Sequence, residues 1–245
     1  LLAKLKAAGA EEVQIDEPVL VLDLPESVQS KFKEAYDALA TADAPKLILT
    51  TYFGDVRPNL KAIENLPVAG YHFDFVRVPE QLDEVASIIK GDQTLSVGVV
   101  DGRNIWKTDF SKASDIVNKA IEKVGQDKVV VATSSSLLHT PVDLESETKL
   151  PAEIKDWFSF ATQKLDEVVT IAKHISGEDV SKKLEANAAS IKARKESSIT
   201  TNPKVQERLT TINESLSTRK SPFPERLAEQ KKKYNLPLFP TTTIG

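Results

Sequence analysis

The sequence predicts an α/β protein, and three observations lead to this prediction. Short apolar runs rich in Val, Ile, Leu, Phe and Thr alternate with segments whose apolar residues recur at helical spacing. Each apolar run carries little charge, as expected of strands that are covered on both faces. Each run also ends in polar or turn-forming residues, which line the functional face of parallel α/β folds. The repeated strand–helix–strand units therefore imply a parallel sheet with right-handed crossovers.

The individual elements follow in chain order. The first segment, Leu1-Leu2-Ala3-Lys4-Leu5, has the pattern of an amphipathic helix with Lys4 and Lys6 facing solvent. Five strands are predicted after it, over residues 13–16, 46–53, 73–77, 94–100 and 129–135. The helices between them are marked by three apolar stripes: Val28, Phe32, Ala35 and Leu39; Leu82, Val85 and Ile89; Ile116, Ala120 and Val124.

A barrel is favoured over an open dinucleotide-binding sheet, because no glycine-rich phosphate-binding fingerprint follows any of the strands. Five strands are predicted here, whereas a complete barrel has eight. We therefore expect a partial (β/α)8 TIM barrel, with the missing strands lying before Leu1. The chain contains no methionine, even at its first position, and we interpret the sequence as a piece of a longer protein.

Helical patterns replace strand patterns after Pro151. One long helix is predicted there, from an apolar stripe formed by Ile154, Trp157, Phe158, Ala161, Leu165, Val168 and Ala172.

A change of composition at Gly177 predicts the end of the barrel segment. From there the sequence is rich in Lys, Glu, Ser and Ala and shows no strand pattern, which predicts a helical connector over 177–235. A threonine-rich run within 236–245 resembles the truncated first strand of another domain. The expected organisation is thus a partial barrel over 1–176, followed by the connector and the start of a further domain.

Composition argues against several classes of function. The 245 residues carry 32 basic and 36 acidic side chains, for a net charge of −4, whereas a nucleic-acid binder needs a basic surface. No apolar run approaches the roughly 18–20 residues that span a bilayer. The chain has no cysteine, so disulfides and thiolate metal ligands within it are excluded. The absence of cysteine is compatible with a reducing compartment, and we expect a cytoplasmic protein.

The histidines provide few candidates for chemistry. His72, His139 and His174 have no ligand partners at metal spacing. His72 and Asp74 alternate along one predicted strand, so a packed or hydrogen-bonded pair is favoured there over a metal site. His139 follows the serines at 134–136, but no Gly-x-Ser-x-Gly elbow is present. Capping and loop packing by these serines are favoured over a Ser/His nucleophilic pair.

Carboxylates and one arginine complete the candidates. Asp16 and Glu17 are neighbours at a strand end, where extended backbone sends their side chains to opposite faces. They are therefore not an acid–base dyad, although one of them can line a pocket. Residues 101–104 are predicted to form a turn with an internal contact between Asp101 and Arg103, the alternative being a carboxylate or phosphate site at Arg103. These residues alone define no catalytic constellation.

Five motifs nevertheless resemble, in order and spacing, those of the cobalamin-independent methionine synthases, and the resemblance extends over essentially the whole chain. The motifs are Gln14-Ile15-Asp16-Glu17-Pro18, Leu49-Thr50-Thr51-Tyr52-Phe53, Asp101-Gly102-Arg103-Asn104-Ile105-Trp106, Ser135-Ser136-Leu137-Leu138-His139-Thr140-Pro141-Val142-Asp143-Leu144 and Phe239-Pro240-Thr241-Thr242-Thr243-Ile244-Gly245. Members of this family are monomers of two (β/α)8 barrels. They transfer a methyl group from 5-methyltetrahydropteroyl-polyglutamate to L-homocysteine, which gives L-methionine. The resemblance implies that this chain holds the later part of the N-terminal barrel, the connector and the first residues of the catalytic barrel.

The resemblance also implies which functional groups the chain lacks. In the family, zinc bound by His, Cys, Glu and Cys of the second barrel holds homocysteine as a thiolate, because metal coordination deprotonates the thiol. None of these ligands is expected here, so the chain is expected to contain no catalytic and no metal-binding residue. The segment that contacts homocysteine or methionine in the family matches only at Ile244 and Gly245.

The implied function is therefore that of an inactive fragment of this methyltransferase. Its parent enzyme uses zinc, a folate polyglutamate and homocysteine, and no cobalamin. The expected partner is the missing C-terminal barrel in cis, with no nucleic acid and no membrane. The alternative is a non-catalytic barrel module that scaffolds the catalytic barrel and docks the folate tail. An unrelated barrel enzyme that uses Asp16 and His139 is disfavoured by the ordered motifs.

Overall fold

The computed structural model describes residues 1–41, 43–241 and 243. Two compact units are present, one formed by residues 1–195 and the other by residues 196–245.

A five-stranded parallel sheet forms the centre of the first unit. Its strands are β1 (Glu12–Asp16), β2 (Lys46–Thr50), β3 (Gly70–Asp74), β4 (Thr94–Val100) and β5 (Val129–Thr133). They lie in the order β1-β2-β3-β4-β5, with every neighbouring pair parallel. Each strand is thus added beside its predecessor in one direction, as in the arc of a (β/α)8 barrel, whereas a doubly wound sheet reverses its order. The predicted α/β class and partial barrel are confirmed.

The strand predictions need correction in their bounds and in their burial. The second strand ends at Thr50 rather than at residue 53, and the fifth ends at Thr133 rather than at residue 135. The third strand covers 70–74 rather than 73–77, because the Asp74 carboxylate accepts hydrogen bonds from the amides of Val76 and Arg77 and ends the strand in a turn. The prediction that the strands are covered on both faces is correct for the central strands of the sheet but wrong for the edge strands β1 and β5. Val130 on β5, for example, is 48% exposed.

Twelve helices, separated by short 3₁₀ turns, are assigned in the described residues. They are α1 (Leu2–Ala7), α2 (Glu26–Gln29), α3 (Lys31–Leu39), α4 (Leu60–Ile63), α5 (Leu82–Ser87), α6 (Phe110–Val124), α7 (Ala152–Asp156), α8 (Ala161–Ile175), α9 (Ser181–Glu196), α10 (Pro203–Thr210), α11 (Glu214–Ser217) and α12 (Phe223–Tyr234). In this part of the chain, no helix combines the length and the apolar character that crossing a membrane requires.

The apolar core of the first unit lies between one face of the sheet and the helices. On that face Leu49, Tyr71 and Leu95 are aligned across β2, β3 and β4, and all three are fully buried. The helices contribute Val85, Val117 and Ile171 among others, which are also fully buried. Every second residue of each strand therefore points into this core, and the residues between them lie on the opposite face of the sheet, called here the inner face.

The single long helix predicted after Pro151 is interrupted, and this prediction was wrong. The amide of Lys107 donates to the carbonyl of Trp157 (3.0 Å), and the amide of Ser159 donates to the carbonyl of Ile105 (2.8 Å). The ring of Phe158 packs edge-on against Trp106. Since this bridge holds the backbone between α7 and α8 in an extended form, the apolar stripe is divided between two helices.

The second unit contains α10, α11 and α12, none of which buries a residue. The side chains of Asn202 and Asn213 cap the first two of these helices. The last turn of α12 carries Lys231, Lys232 and Lys233, where positive charge is favoured by the helix dipole.

Candidate functional site

The inner face of the sheet carries a row of polar side chains near the carboxyl ends of its strands. Asp16, Thr50, His72 and Ser96 are aligned across β1, β2, β3 and β4, so they share this face. They border a cavity of about 340 Å³. We call it the inner-face cavity. It is lined by Gln14, Asp16, Thr50, Tyr52, His72, Ser96, Ala132, Thr133, Ser135 and Ser136.

The two adjacent carboxylates at the end of β1 lie on opposite faces, as predicted. Asp16 faces the cavity and accepts hydrogen bonds from Gln14 Nε2 (2.6 Å) and from the Tyr52 hydroxyl (3.1 Å). Glu17 accepts a bond from the hydroxyl of Tyr36, a residue of α3 on the helical side (3.1 Å). Burial raises the pKa of Glu17, and the bond from Tyr36 opposes this effect. Asp16 therefore remains the only carboxylate among the residues that line the inner-face cavity.

His72 is a neutral imidazole with partners on both ring nitrogens. Its Nδ1 lies 2.8 Å from Ser96 Oγ, and its Nε2 lies 3.4 Å from the carbonyl oxygen of Ser134. Because a carbonyl can only accept, Nε2 carries the proton and Nδ1 accepts from the Ser96 hydroxyl. Burial lowers the pKa of His72, although the Ser134 carbonyl and the charge of Asp74 oppose the shift.

This buried imidazole predicts a loss of stability in acid. The pKa of His72 is lower in the folded chain than its ordinary value of 6.5, so below that pH the unfolded chain binds the extra proton. The contribution of neutral His72 to the free energy of unfolding is therefore complete above pH 6.5 and declines as the pH falls below this value. We expect the stability advantage of the wild type over His72→Gln to shrink by about 1 kcal/mol between pH 7.5 and pH 5.5. Urea unfolding at the two pH values measures it, and an unchanged difference would refute the assignment.

Asp74 is not bonded to His72, and it organises the adjoining loops instead. It is 2% exposed, and its carboxylate accepts hydrogen bonds from three amides, those of Phe53 (3.0 Å), Val76 (2.9 Å) and Arg77 (3.0 Å). The Gln81 side chain donates to the carbonyl of Asp74 (2.9 Å). Asp74 thereby joins the loop after β2 to the end of β3.

The bond to Asp74 holds Phe53 in an unusual conformation. Its φ angle is 77°, in the left-handed region that side chains rarely occupy. The Arg103 guanidinium lies over the Phe53 ring, 4.4 Å from its centroid, and the His139 ring contacts it edge-on at 5.4 Å. This aromatic cluster of Phe53, Arg103 and His139 brings together loops that follow β2, β4 and β5.

The cluster changes the interpretation of the 101–104 turn. The Asp101 carboxylate accepts from the backbone amide of Arg103 (2.8 Å) and from Asn104 Nδ2 (2.5 Å), so the predicted contact runs through the backbone and not through the guanidinium. Gly102 is required because a Cβ there would lie 2.5 Å from the carbonyl oxygen of Ser135. The Arg103 side chain makes no ion pair within the described part of the chain, which leaves its charge available at the carboxyl face of the sheet.

The serine run serves in capping, as predicted. Ser134 Oγ accepts from the amide of Gly102 (3.2 Å), and Ser136 Oγ accepts from the amide of Leu138 (3.3 Å). The hydroxyl of Ser135, however, is buried without a hydrogen-bond partner in the described residues, and so is that of Thr50. Both residues line the inner-face cavity. Buried hydroxyls are normally satisfied, so this face is suited to receive further polar groups.

The described residues contain no group of three or more metal-ligating side chains placed to hold an ion. Ile244 and Gly245, the predicted homocysteine contacts, lie outside the described residues. Tyr52 and Phe53 were predicted at a strand end on the functional face but without a role in the site, and Ser96 was not predicted as a site residue. Along β4, the alternation of Thr94 and Ser96 with Leu95 and Val97 is a sequence signal for a polar face of the sheet.

The sequence comparisons with known proteins agree with one another. A sequence profile of the N-terminal domain of the cobalamin-independent synthases matches residues 1–125. The chain is 86% identical over 245 residues to the 5-methyltetrahydropteroyltriglutamate–homocysteine methyltransferase of Candida albicans. It is 63% identical over 246 residues to the protein of the same name from Saccharomyces cerevisiae. Each alignment covers 100% of this chain and 32% of the relative, so the chain spans about a third of the length of the curated relatives it matches.

Among solved structures, a B12-independent methionine synthase from Shewanella sp. W3-18-1, in complex with selenomethionine, is similar with a TM-score of 0.48 and 18% sequence identity. That match covers 75% of this chain and 52% of the other.

Proposed function

Because the chain belongs to the cobalamin-independent synthase family, whose N-terminal domain its residues 1–125 match, we propose that it is part of a methyltransferase. The complete enzyme transfers a methyl group from 5-methyltetrahydropteroyl-polyglutamate to L-homocysteine and forms L-methionine. The observation that carries this proposal is the 86% identity to the Candida albicans methyltransferase along the entire chain. A cytoplasmic location accords with the absence of cysteine.

Within that enzyme, the chain supplies a scaffold. Residues 1–176 form the later part of the N-terminal barrel, 177–235 the connector, and 236–245 the start of the catalytic barrel, where Ile244 and Gly245 contact homocysteine or methionine. The remaining strands of the N-terminal barrel cover the inner face of the sheet. Two observations support this last point: Val130 is 48% exposed on that face, and the hydroxyls of Thr50 and Ser135 have no partner in the described residues.

The residues at the carboxyl ends of the strands do not fit a zinc centre. The chain has no cysteine, and the Asp74 carboxylate already accepts three backbone hydrogen bonds. Both ring nitrogens of His72 have protein partners. We assign the zinc ligands, and with them the activation of the homocysteine thiol, to a part of the enzyme beyond this chain.

A second role, docking of the folate tail, is favoured by Arg103. Its guanidinium stacks on Phe53 at the carboxyl face without an ion pair in the described residues, and guanidinium groups bind carboxylates in a bidentate manner. The glutamate carboxylates of the methyl donor have the matching charge.

A chimera tests the proposed function. The third of the Saccharomyces cerevisiae relative that matches this chain is replaced by the chain, and methionine formation from the triglutamate donor and homocysteine is measured. We expect turnover within about tenfold of the unaltered enzyme, and none from the 245-residue chain alone, with or without zinc. A folded chimera that is inactive, or turnover by the isolated chain, would contradict the proposal. In the active chimera, Arg103→Ala separates the two roles, since tail docking requires a raised KM for the folate at an unchanged kcat.

A further inference from the structure

A second, larger cavity lies among the helices that flank the sheet, beside the loop that follows β4. Its volume is about 490 Å³, within the range of pockets that bind small molecules. It lies among the first turn of α6, the segment 144–163, α8 and α9. Five apolar side chains form its walls: Phe110, Leu144, Ala152, Phe158 and Ala186.

One end of this helix-side cavity is polar and buried. Glu167 is 5% exposed, and its two carboxylate oxygens accept from the amide (3.2 Å) and the hydroxyl (2.8 Å) of Thr108. Each oxygen keeps a free lone pair, because a carboxylate has about four acceptor sites. Ser159 is 1% exposed and also lines the cavity. Its hydroxyl lies beside the Glu167 carboxylate without reaching hydrogen-bond geometry, and no other partner exists in the described residues.

The other charged groups around the cavity are paired with one another. Three ion pairs occur among its lining residues: Lys107–Asp156 at 2.7 Å, Lys155–Glu145 at 3.6 Å and Lys183–Asp166 at 2.7 Å. Glu167 is the lining carboxylate left without an ion pair among the described residues.

The closest basic group on the same helix does not pair with Glu167 either. The ammonium of Lys164, one turn earlier on α8, donates to the carbonyl of Trp106 at 3.0 Å and is fully buried. Its charge acts on Glu167 from beyond ion-pair distance and only partly offsets the burial that raises the pKa of this carboxyl group. A cation that enters the cavity therefore meets an acceptor that no protein cation neutralises at contact distance.

We propose that the helix-side cavity binds a small organic ammonium compound with an aromatic or branched aliphatic body. The apolar walls take the body, while the ammonium donates to the free lone pairs of Glu167 and to the hydroxyl oxygen of Ser159. An anion is disfavoured, because it would meet four lining carboxylates and would have to displace one of them from its lysine. A neutral hydroxyl compound of the same shape would lack the charge-assisted hydrogen bond. This site is independent of the proposed methyl transfer.

The test uses the 245-residue chain and three probes of similar shape: 2-phenylethylamine, 2-phenylethanol and 3-phenylpropionate. Binding is followed by amide chemical shifts in NMR titrations. We expect the amine to bind at least tenfold more tightly than the alcohol or the acid, with the largest shifts at Thr108 and Ser159. Glu167→Gln keeps an acceptor for Thr108 and should weaken amine binding at least tenfold without changing the affinity for the alcohol.

A second test uses substitutions at exposed positions of α9, which are not expected to disturb folding. Ala186→Trp fills the mouth of the cavity and should abolish binding, whereas Ala189→Trp on the same helix lies outside the lining and should leave it intact. The proposal is overturned if the amine fails to bind, or if it binds no better than the alcohol or the acid. Unchanged amine affinity in Glu167→Gln or in Ala186→Trp, or shifts centred on the inner-face cavity, would overturn it as well.

Discussion

Replacement of Asp74 by alanine is expected to destabilise the chain by about 4 kcal/mol, since hydrogen bonds to a buried charged group contribute roughly 1.5–3 kcal/mol each before the structure relaxes. The carboxylate accepts three backbone hydrogen bonds, from Phe53, Val76 and Arg77, all of 3.0 Å or less. Alanine would leave these amides without their acceptor in a site that is 2% exposed.

The Asp74→Ala substitution should also disrupt the aromatic cluster of Phe53, Arg103 and His139. A left-handed φ such as that of Phe53 costs on the order of 1–3 kcal/mol and persists only where the surroundings enforce it. The bond from the Phe53 amide to Asp74 is such a constraint. Without it the loop is free to relax, and the stacking of Arg103 on the Phe53 ring should be lost.

Urea unfolding followed by circular dichroism measures this effect. Asp74→Asn retains the side-chain volume and one acceptor oxygen, so we expect an intermediate loss. Asp115→Ala, on the exposed face of α6, serves as the matched control and should change stability by less than about 0.5 kcal/mol. If Asp74→Ala is as stable as this control, Asp74 does not organise the loops.

The strands were predictable because their apolar, β-branched runs reflect a local requirement for burial. The predictions at 94–100 and at the starts of β2 and β5 agree with the structure for this reason. The opposite orientation of Asp16 and Glu17 was also predictable, since alternation is a local property of extended backbone.

The remaining features depend on contacts between segments that are distant in the sequence. The helix predicted across 154–172 is interrupted by hydrogen bonds to residues 105 and 107, which no periodicity within the segment can reveal. The stacking of Arg103 on Phe53 joins residues 50 positions apart and depends on a backbone angle imposed by Asp74. The family resemblance located these motifs in the chain, but it did not supply their geometry.

The exposure of the inner face of the sheet at its edge strand β5 is the basis of our account, and Val130 reports on it directly. Val130 is aligned with Ser96 on that face and is 48% exposed. Because the chain has no cysteine, Val130→Cys introduces a single thiol. If further strands cover this face in the complete enzyme, alkylation of that thiol should be about 100-fold slower in the chimera than in the isolated chain. This factor is expected when the reaction requires a local opening that costs roughly 3 kcal/mol.

Two control positions calibrate the measurement. Lys119→Cys lies on the exposed surface of α6 and should react rapidly in both the isolated chain and the chimera. Val97→Cys is fully buried in the helix-side core and should react slowly in both, which also shows whether the isolated chain is folded.

The decisive measurement is therefore the rate at which N-ethylmaleimide labels Val130→Cys, quantified by mass spectrometry of the labelled peptide, in the chain and in the chimera. Rapid labelling in the chain and about 100-fold slower labelling in the chimera is the predicted result. Equal rates in the two proteins, with both controls behaving as expected, would show that no other segment covers the inner face and would contradict the account.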